Sequence, residues 1–214
     1  MLDSRHDAPS SDEEWQSLLL ANNFGQLVAV DASRSPIVVP LHFWFDGDSR
    51  VEGHLHRQNL LWAALRSDAR ACLSVIAAHV FIPGHWNAEE QEASDWGAPT
   101  SYYAAVQVSG PVEIIDDAEG LASLLTRQMK QMQPEGGYGA VETGDNPFGR
   151  MFPGIIGFRL SIQTVHTKFK FGGNRTHSHR FKVAELLRQR GELFDIDARE
   201  HLLRRTESVE GKGT

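Results

Sequence analysis

The sequence has 214 residues, 41% of them hydrophobic and 23% charged, a composition that excludes collagen-like, disordered and membrane-embedded classes. Its 21 Lys and Arg residues against 28 Asp and Glu residues give a formal charge of −7, the wrong sign for a surface that coats phosphate backbones, so any nucleic-acid contact would need a local basic patch. Because Cys72 is the only cysteine and no signal peptide or membrane span is recognisable, we expect a cytoplasmic protein without internal disulfides.

The first part of the chain is predicted to contain a helix and a β meander. Ser11 and Glu14 have the spacing of a capping box in front of Trp15, which predicts a helix over about 12–22. Runs rich in β-branched and aromatic residues, separated by turn clusters, predict strands at 25–30, 37–45 and 50–56.

A short helix and a buried strand are predicted next. Asn59 is a candidate N-cap for a helix over 59–66, and the apolar run 71–77 has the length of a buried strand. The segment 83–100 is rich in Pro, Gly and acidic residues, so it is predicted to be a loop.

The second half of the chain alternates strands and helices. The run 102–115 predicts a long strand, and the acidic residues of 116–119 precede leucines and methionines that recur at helical spacing as far as Met132. The later predicted elements are β structure over 154–171, a helix over 181–190 ended by Gly191, and a helix from Asp195 to about Arg205.

These elements predict a mainly β fold with peripheral helices, arranged as an antiparallel Greek-key-like barrel. We expect the barrel domain to span 11–191, after a disordered arm at 1–10 and before a helical or disordered tail at 192–214. No Rossmann, P-loop, zincin or serine-hydrolase motif occurs in the sequence. The sequence also offers no helix-turn-helix with a basic recognition face, so direct DNA binding is not expected.

Two histidines are placed where they would share a pocket. His54 and His56 are two residues apart on a predicted strand, so both imidazoles point to one face. A metal or haem pocket could use this geometry, but a packed or surface pair of histidines is the commoner reason for such spacing. His177 and His179 fall in a polar segment, where we expect them to be solvated.

A cationic set near the end of the β-rich region is the strongest chemical signal. Lys168 and Lys170 alternate with Phe169 and Phe171, so one face of the strand is basic and the other is apolar. Such a face either protects a solvated edge strand from aggregation or, together with arginines, holds a buried phosphate. The arginines that would complete the set are Arg57 and Arg175.

Five segments of the chain match the pattern of a known family. They are 53–62 (GHLHRQNLLW), 78–86 (AHVFIPGHW), 99–106 (PTSYYAAV), 154–158 (GIIGF) and 168–175 (KFKFGGNR). In these segments the chain resembles the PaiB-like FMN-binding proteins, described as negative transcriptional regulators and built on the FMN-binding split barrel.

The resemblance implies a split barrel that binds FMN at the seam of a homodimer. The residues that it implies at this cofactor are His54, Arg57, Asn59, Lys168, Lys170, Asn174 and Arg175. The aromatic side chains that we expect to wall the flavin are Trp62, Trp86 and Tyr103. The implied role is that of a flavin-dependent oxidoreductase, a sensor or regulator, or an interaction protein that uses no cofactor.

Several residues depart from the family pattern where the flavin would be touched. They are Val38, Leu60, His85, Ser101, Tyr102, Gly172 and Gly173. The loss of a hydroxyl and two amides would weaken flavin binding by about 10- to 1000-fold. The histidines that make haem an alternative ligand are His56, His79 and His85.

Overall fold

The computed structural model describes residues 4–89, 91 and 93–210, with side chains as far as residue 204. Its strands are β1 (Phe24–Val30), β2 (Pro36–Phe45), β3 (Arg50–His56), β4 (Arg70–Ile82), β5 (Thr100–Ile115), β6 (Ile155–Ser161) and β7 (Thr164–Lys170). Its α-helices are α1 (Asp12–Ala21), α2 (Leu61–Ser67), α3 (Gly84–Asn87), α4 (Ala118–Met132), α5 (His177–Arg190) and α6 (Asp195–Glu210). Short 3₁₀ turns occur at Arg5–Asp7, Ser94–Trp96 and Phe152–Gly154.

The strands form one sheet in the order β4-β1-β2-β3-β6-β5-β7, and a further pairing of β4 with β5 closes six strands into a ring. The pairs β1–β2, β1–β4, β2–β3, β3–β6 and β5–β6 are antiparallel. The predicted fold class, a mainly β split barrel with peripheral helices, is therefore confirmed.

Aspartates close the two hairpins that begin the sheet. Between β1 and β2, Asp31 Oδ1 accepts the N–H groups of Ser33 at 2.9 Å and Ser35 at 2.8 Å. Between β2 and β3, Asp46 Oδ1 accepts the N–H groups of the following turn, and Gly47 has a φ of +92° that favours glycine. Short polar side chains that bond their own backbone favour these tight turns.

The chain divides into two compact units. Unit 1 comprises the described residues of 1–18, 76–106 and 166–214, and unit 2 comprises 19–75 and 107–165. The expected division into an arm at 1–10, a domain at 11–191 and a tail at 192–214 follows different boundaries and stays a prediction.

Helix α4 packs on the sheet of unit 2 with its leucine face, as the helical spacing predicts. Asp117 caps its first turn, because Oδ1 accepts the N–H group of Gly120 at 2.7 Å. Leu121 and Leu124 are buried, and a side chain at Gly157 on β6 would collide with Leu124. The missing side chain at 157 thus allows close packing of helix and strand.

Helix α5 of unit 1 begins at His177, four residues before the predicted start. The hydroxyl of Thr176 caps it by accepting the N–H group of His179 at 3.3 Å, and Gly191 ends it with a φ of +66°. The expectation that His177 and His179 lie in a solvated loop is therefore wrong. His179 is only 1% exposed.

Two other predicted elements differ from the structure. Helix α2 begins at Leu61, and its boundary residue is Leu60, so Asn59 is not the N-cap. Asn59 instead closes the preceding turn, with Oδ1 accepting the N–H group of Leu61 at 3.0 Å. The predicted loop 83–100 contains helix α3 and a 3₁₀ turn that leaves Trp96 76% exposed.

Among the described residues, no helix is long and apolar enough to cross a bilayer.

Candidate functional site

A cavity of about 210 Å³ lies in unit 1, beside the end of β7. We call it the cation cavity. Its lining residues are Ser4, His6, Asp7, Asn87, Thr100, Tyr102, Lys170, Gly172, Asn174 and Arg175. Three of the predicted site residues therefore come together here: Lys170, Asn174 and Arg175.

The alternating side chains of β7 place one lysine in this cavity. Phe169 and Phe171 are fully buried, as expected for the apolar face. Lys170 donates to Thr100 Oγ1 at 2.8 Å, and no described carboxylate lies within ion-pair distance of it. Lys168, on the same face, pairs with Asp7 at 3.1 Å and is mostly buried. Lys170 therefore has no counter-charge among the described residues and can pair with an anionic ligand.

A tight turn after β7 brings Arg175 to the cavity. The N–H group of Arg175 donates to the carbonyl of Gly172 at 2.9 Å, and Gly172 has a φ of +64°. A side chain at 172 would overlap the hydroxyl of Tyr102, so glycine is needed here for both conformation and space. The guanidinium of Arg175 pairs with Glu89 at 2.6 Å and remains partly exposed.

Two buried polar side chains of the cavity have atoms without a hydrogen-bond partner. Tyr102 is 2% exposed and Asn87 is 5% exposed, and neither Tyr102 Oη nor Asn87 Oδ1 is bonded to any described residue. The amide N–H of Asn87 donates to the carbonyl of Ala98 at 2.6 Å. Because an unpaired buried polar group is costly, these two atoms make the cavity the candidate site for a polar ligand.

Burial raises the pKa of the Tyr102 phenol, against the opposing effect of the positive charges on Arg175 and Arg180. The phenol is therefore protonated near neutral pH and can donate a hydrogen bond. Together with Lys170 and Arg175 it forms a set of donors that suits an anionic group such as a phosphate.

Sequence reasoning missed Tyr102 and Asn87 as site residues and chose Tyr103 instead. Strand alternation puts Tyr102 and Tyr103 on opposite faces of β5, but it does not indicate which face is enclosed. The departure of Tyr102 from the family pattern was the one signal that pointed to it.

Tyr103 lies on a second surface of unit 1, an open groove of about 520 Å³. We call it the apolar groove. Its lining residues are Ile76, His79, Ser101 and Tyr103. Strand β4 supplies large exposed apolar side chains, since Ile76 is 63% exposed and Phe81 is 59% exposed. Such a run of apolar side chains on a sheet is typical of a surface that another molecule covers.

Trp86, the remaining site residue predicted in unit 1, lies on α3. The guanidinium of Arg190 stands over its ring at 5.0 Å from the centroid. Arg190 also pairs with the buried carboxylate of Asp195 at 2.5 Å. These contacts hold Trp86 against the ends of α5 and α6, and it lines neither the cation cavity nor the apolar groove.

Unit 2 holds the other predicted site residues. Nδ1 of His54 is 2.8 Å from Oε1 of Gln128, and burial lowers the pKa of this imidazole. Trp62 is 1% exposed and donates its indole N–H to the carbonyl of His56 at 3.0 Å. Trp62 is thus a packed core residue in this unit.

Arg57 of unit 2 lines a cavity of about 260 Å³ next to the start of α4. Its guanidinium pairs with Asp116 at 2.5 Å and donates to the carbonyl groups of Pro153 and Ile155. The hydrogen bond with Asp116 raises the pKa of Arg57, and the same bond lowers the pKa of Asp116. The charge of Arg57 is therefore largely neutralised by Asp116 of the same unit.

Comparison with known proteins identifies the family. Residues 1–164 match the family described as "Putative FMN-binding domain", and the chain belongs to this family. Over 191 residues it is 23% identical to protease synthase and sporulation protein PAI 2 of Bacillus subtilis, covering 83% of this chain and 84% of that protein. The PaiB-like resemblance of the sequence is thereby confirmed.

Solved structures support the fold. The flavocytochrome Anf3 of Azotobacter vinelandii superposes with a TM-score of 0.60 at 20% identity, covering 79% of this chain and 73% of that one. An FAD- and haem-binding protein of Mycobacterium smegmatis gives 0.57 at 19% identity, covering 77% and 73%. At these identities the likeness concerns the fold.

Proposed function

We propose that the chain binds FMN and that the cation cavity receives its phosphate end. The observation that carries this proposal is the pair of buried, unpartnered atoms, Tyr102 Oη and Asn87 Oδ1, beside the charges of Lys170 and Arg175. Lys170, Arg175 and Tyr102 would donate to phosphate oxygens, and Asn87 Oδ1 would accept from a hydroxyl group of the ligand. Membership of an FMN-binding family supports the same ligand.

The size of the cavity supports a homodimer. Its volume of about 210 Å³ falls below the ~300–1,000 Å³ of typical ligand pockets, so it would hold the phosphate end but not the ring system. The apolar groove with Tyr103 offers an apolar wall for the ring. In this proposal a second copy of the chain covers the exposed Ile76 and Phe81 and completes the flavin site.

Bound FMN would supply hydride and one-electron chemistry. The chain's own residues would hold and orient it. The proposed role is a flavin-dependent redox or sensing function, without direct binding to DNA. Anaerobic addition of NADH or NADPH to the loaded protein separates the two: bleaching of the flavin spectrum supports a reductase, and a persistent oxidised spectrum supports a sensor.

The test of the cofactor is a visible spectrum of the purified protein followed by FMN titration, monitored by fluorescence quenching. We expect one FMN per chain. Lys170→Ala and Arg175→Ala should each weaken binding by about 1–3 kcal/mol, the value of a charge-assisted hydrogen bond. Arg188→Ala is the matched control, because Arg188 pairs with Glu185 on the same helix. Unchanged affinity in both cavity variants would refute the site.

Two further variants test the finer parts of the proposal. Arg57→Ala measures separately whether the unit 2 residues implied by the family resemblance contribute to FMN affinity. Ile76→Glu should convert a dimer to a monomer in light scattering, because it places a charge on the surface that the second copy would cover. A monomeric wild-type protein that binds FMN fully would contradict the proposed seam.

A haem ligand is the second candidate, favoured by one observation. His79 is exposed, lines the apolar groove and packs in a tilted arrangement against Phe194, with ring centroids 4.6 Å apart. An exposed imidazole beside an apolar groove is a suitable axial ligand for haem iron. Haem titration should then give a Soret band that His79→Ala removes and Lys170→Ala leaves unchanged.

A further inference from the structure

The N-terminal residues of the chain form part of the wall of the cation cavity. Ser4–Asp7 make a 3₁₀ turn in which the N–H group of Asp7 donates to the carbonyl of Ser4 at 2.9 Å. Ser4, His6 and Asp7 all line the cavity. We call this segment the N-terminal strap.

The strap places the carboxylate of Asp7 in the wall of the cavity, where it pairs with a lysine of the basic face of β7. Asp7 Oδ2 lies 3.1 Å from Nζ of Lys168, and the two side chains are only 16% and 11% exposed. Because little water reaches this ion pair, it is screened less than a surface pair. Asp7 itself lines the cavity, and Lys168 lies on the basic face of β7 two residues before the cavity residue Lys170. A carboxylate oxygen and a phosphate oxygen accept the same charge-assisted hydrogen bonds, so Asp7 places a competing negative charge where the anionic end of the ligand would lie.

The strap packs against Gly173, whose backbone conformation does not require glycine. The carbonyl of His6 lies directly against Gly173, and a Cβ at that position would overlap its oxygen. Gly173 is not among the glycines with positive φ, so alanine fits the backbone there. The strap can therefore pack at this position because residue 173 has no side chain.

We propose that the N-terminal strap is a built-in competitor for the anionic end of the ligand. In this inference, which rests on the proposed function, a bound phosphate displaces Asp7 from Lys168 and lifts the strap from Gly173. The apparent dissociation constant is then the intrinsic one divided by the fraction of molecules in which the strap is open. A substitution that detaches the strap should raise the affinity for the anionic ligand, whereas a substitution of a residue that binds the ligand should lower it.

The experiment compares FMN affinity among four full-length variants. Asp7→Asn removes the competing charge, and Gly173→Ala adds a side chain where the strap packs, without changing a charge. Glu13→Gln is the charge-matched control on the exposed start of α1, and Gly139→Ala is the glycine control, since nothing lies within 4 Å of its added Cβ. We expect Asp7→Asn and Gly173→Ala to bind FMN about tenfold more tightly, which corresponds to a strap closed in about nine molecules of ten. The controls should stay at the wild-type value.

Calorimetric titration with pyrophosphate separates this inference from the proposed function. Pyrophosphate probes the cation cavity without a flavin ring, and the same gain is expected in Asp7→Asn and Gly173→Ala. If Lys170→Ala weakens FMN binding while the strap variants leave both ligands unchanged or weaker, the strap inference is overturned and the FMN site stands. If FMN binds to none of the proteins while pyrophosphate binds more tightly to Asp7→Asn and Gly173→Ala, the proposed FMN function is wrong and the strap inference is supported. If neither ligand shows the gain, the inference is overturned.

Discussion

The side-chain amide of Gln128 links His54 to the main chain of β2. Its N–H group donates to the carbonyl of His42 at 3.3 Å, so its oxygen accepts from Nδ1 of His54 at 2.8 Å. Gln128 is 2% exposed, which holds this geometry in place. His54 is consequently a neutral imidazole with its proton on Nδ1 and a lone pair on Nε2.

This arrangement predicts a pH-dependent stability. Burial lowers the pKa of His54 from its ordinary value of 6.5, and the bond with Gln128 opposes the shift in part. Because the unfolded chain takes up the proton more readily, the contribution of His54 is fully present above pH 6.5 and is lost as pH falls toward the lowered folded pKa. Urea midpoints measured across this range should fall more steeply for the wild type than for His54→Gln. The exposed His85→Gln is the control, and parallel profiles for wild type and His54→Gln would contradict the prediction.

Tyr102→Phe should separate binding from folding. The hydroxyl of Tyr102 is buried and unpartnered, so its removal should leave the free energy of unfolding unchanged or increase it by up to about 1 kcal/mol. FMN affinity should instead fall by about 3- to 10-fold, since a phosphate donor is lost. Urea unfolding and FMN titration on the same preparation make the comparison. Loss of stability together with full affinity would show that the hydroxyl serves the fold.

Among the charged residues of unit 2, we expect the buried carboxylate of Glu52 to lose the most stability on substitution. Glu52 is fully buried and accepts from Arg127 at 2.5 Å and from Arg159 at 2.8 Å. Arg50 also lies within ion-pair distance of Glu52, at 3.7 Å. Glu52→Gln should destabilise the protein by about 2–4 kcal/mol, because three guanidinium groups lose a counter-charge in a partly desolvated network. Glu113, 61% exposed, pairs with Arg159 as well, so Glu113→Gln should cost less than about 1 kcal/mol in the same urea titration. Equal costs would argue against the buried network.

The end of α5 provides a backbone prediction. Gly191 has a φ of +66° and a ψ of 28°, and its N–H group donates to the carbonyl of Leu187 at 3.0 Å. Gly191→Ala should lower the free energy of unfolding by about 1–2 kcal/mol, the cost of a left-handed conformation for an L-residue. Gly139→Ala, with no positive φ, should leave it unchanged. Thermal melts of the two variants check the difference.

The family resemblance and the local patterns predicted much of the fold correctly. Strands β1, β2 and β3 and helix α4 occur within one or two residues of their expected bounds, because turn aspartates, capping residues and apolar periodicity act over a few neighbours. The start of α5 was missed, since Thr176 is followed by histidines that carry no strong helix signal. Of the site, the alternation of Lys170 with two phenylalanines was correctly derived from strand geometry.

The sequence by itself determined the β-rich architecture, the basic face of β7 and membership of an FMN-binding family. Only the tertiary structure decided that Tyr102 faces a cavity, that Asn87 lies beside it, and that Asp7 pairs with Lys168. These relationships join residues from distant parts of the chain, such as 7 and 168, and local patterns carry no information about such contacts. Whether a side chain is enclosed or solvated depends on which other segments pack over it, and that is settled only when the whole chain is folded.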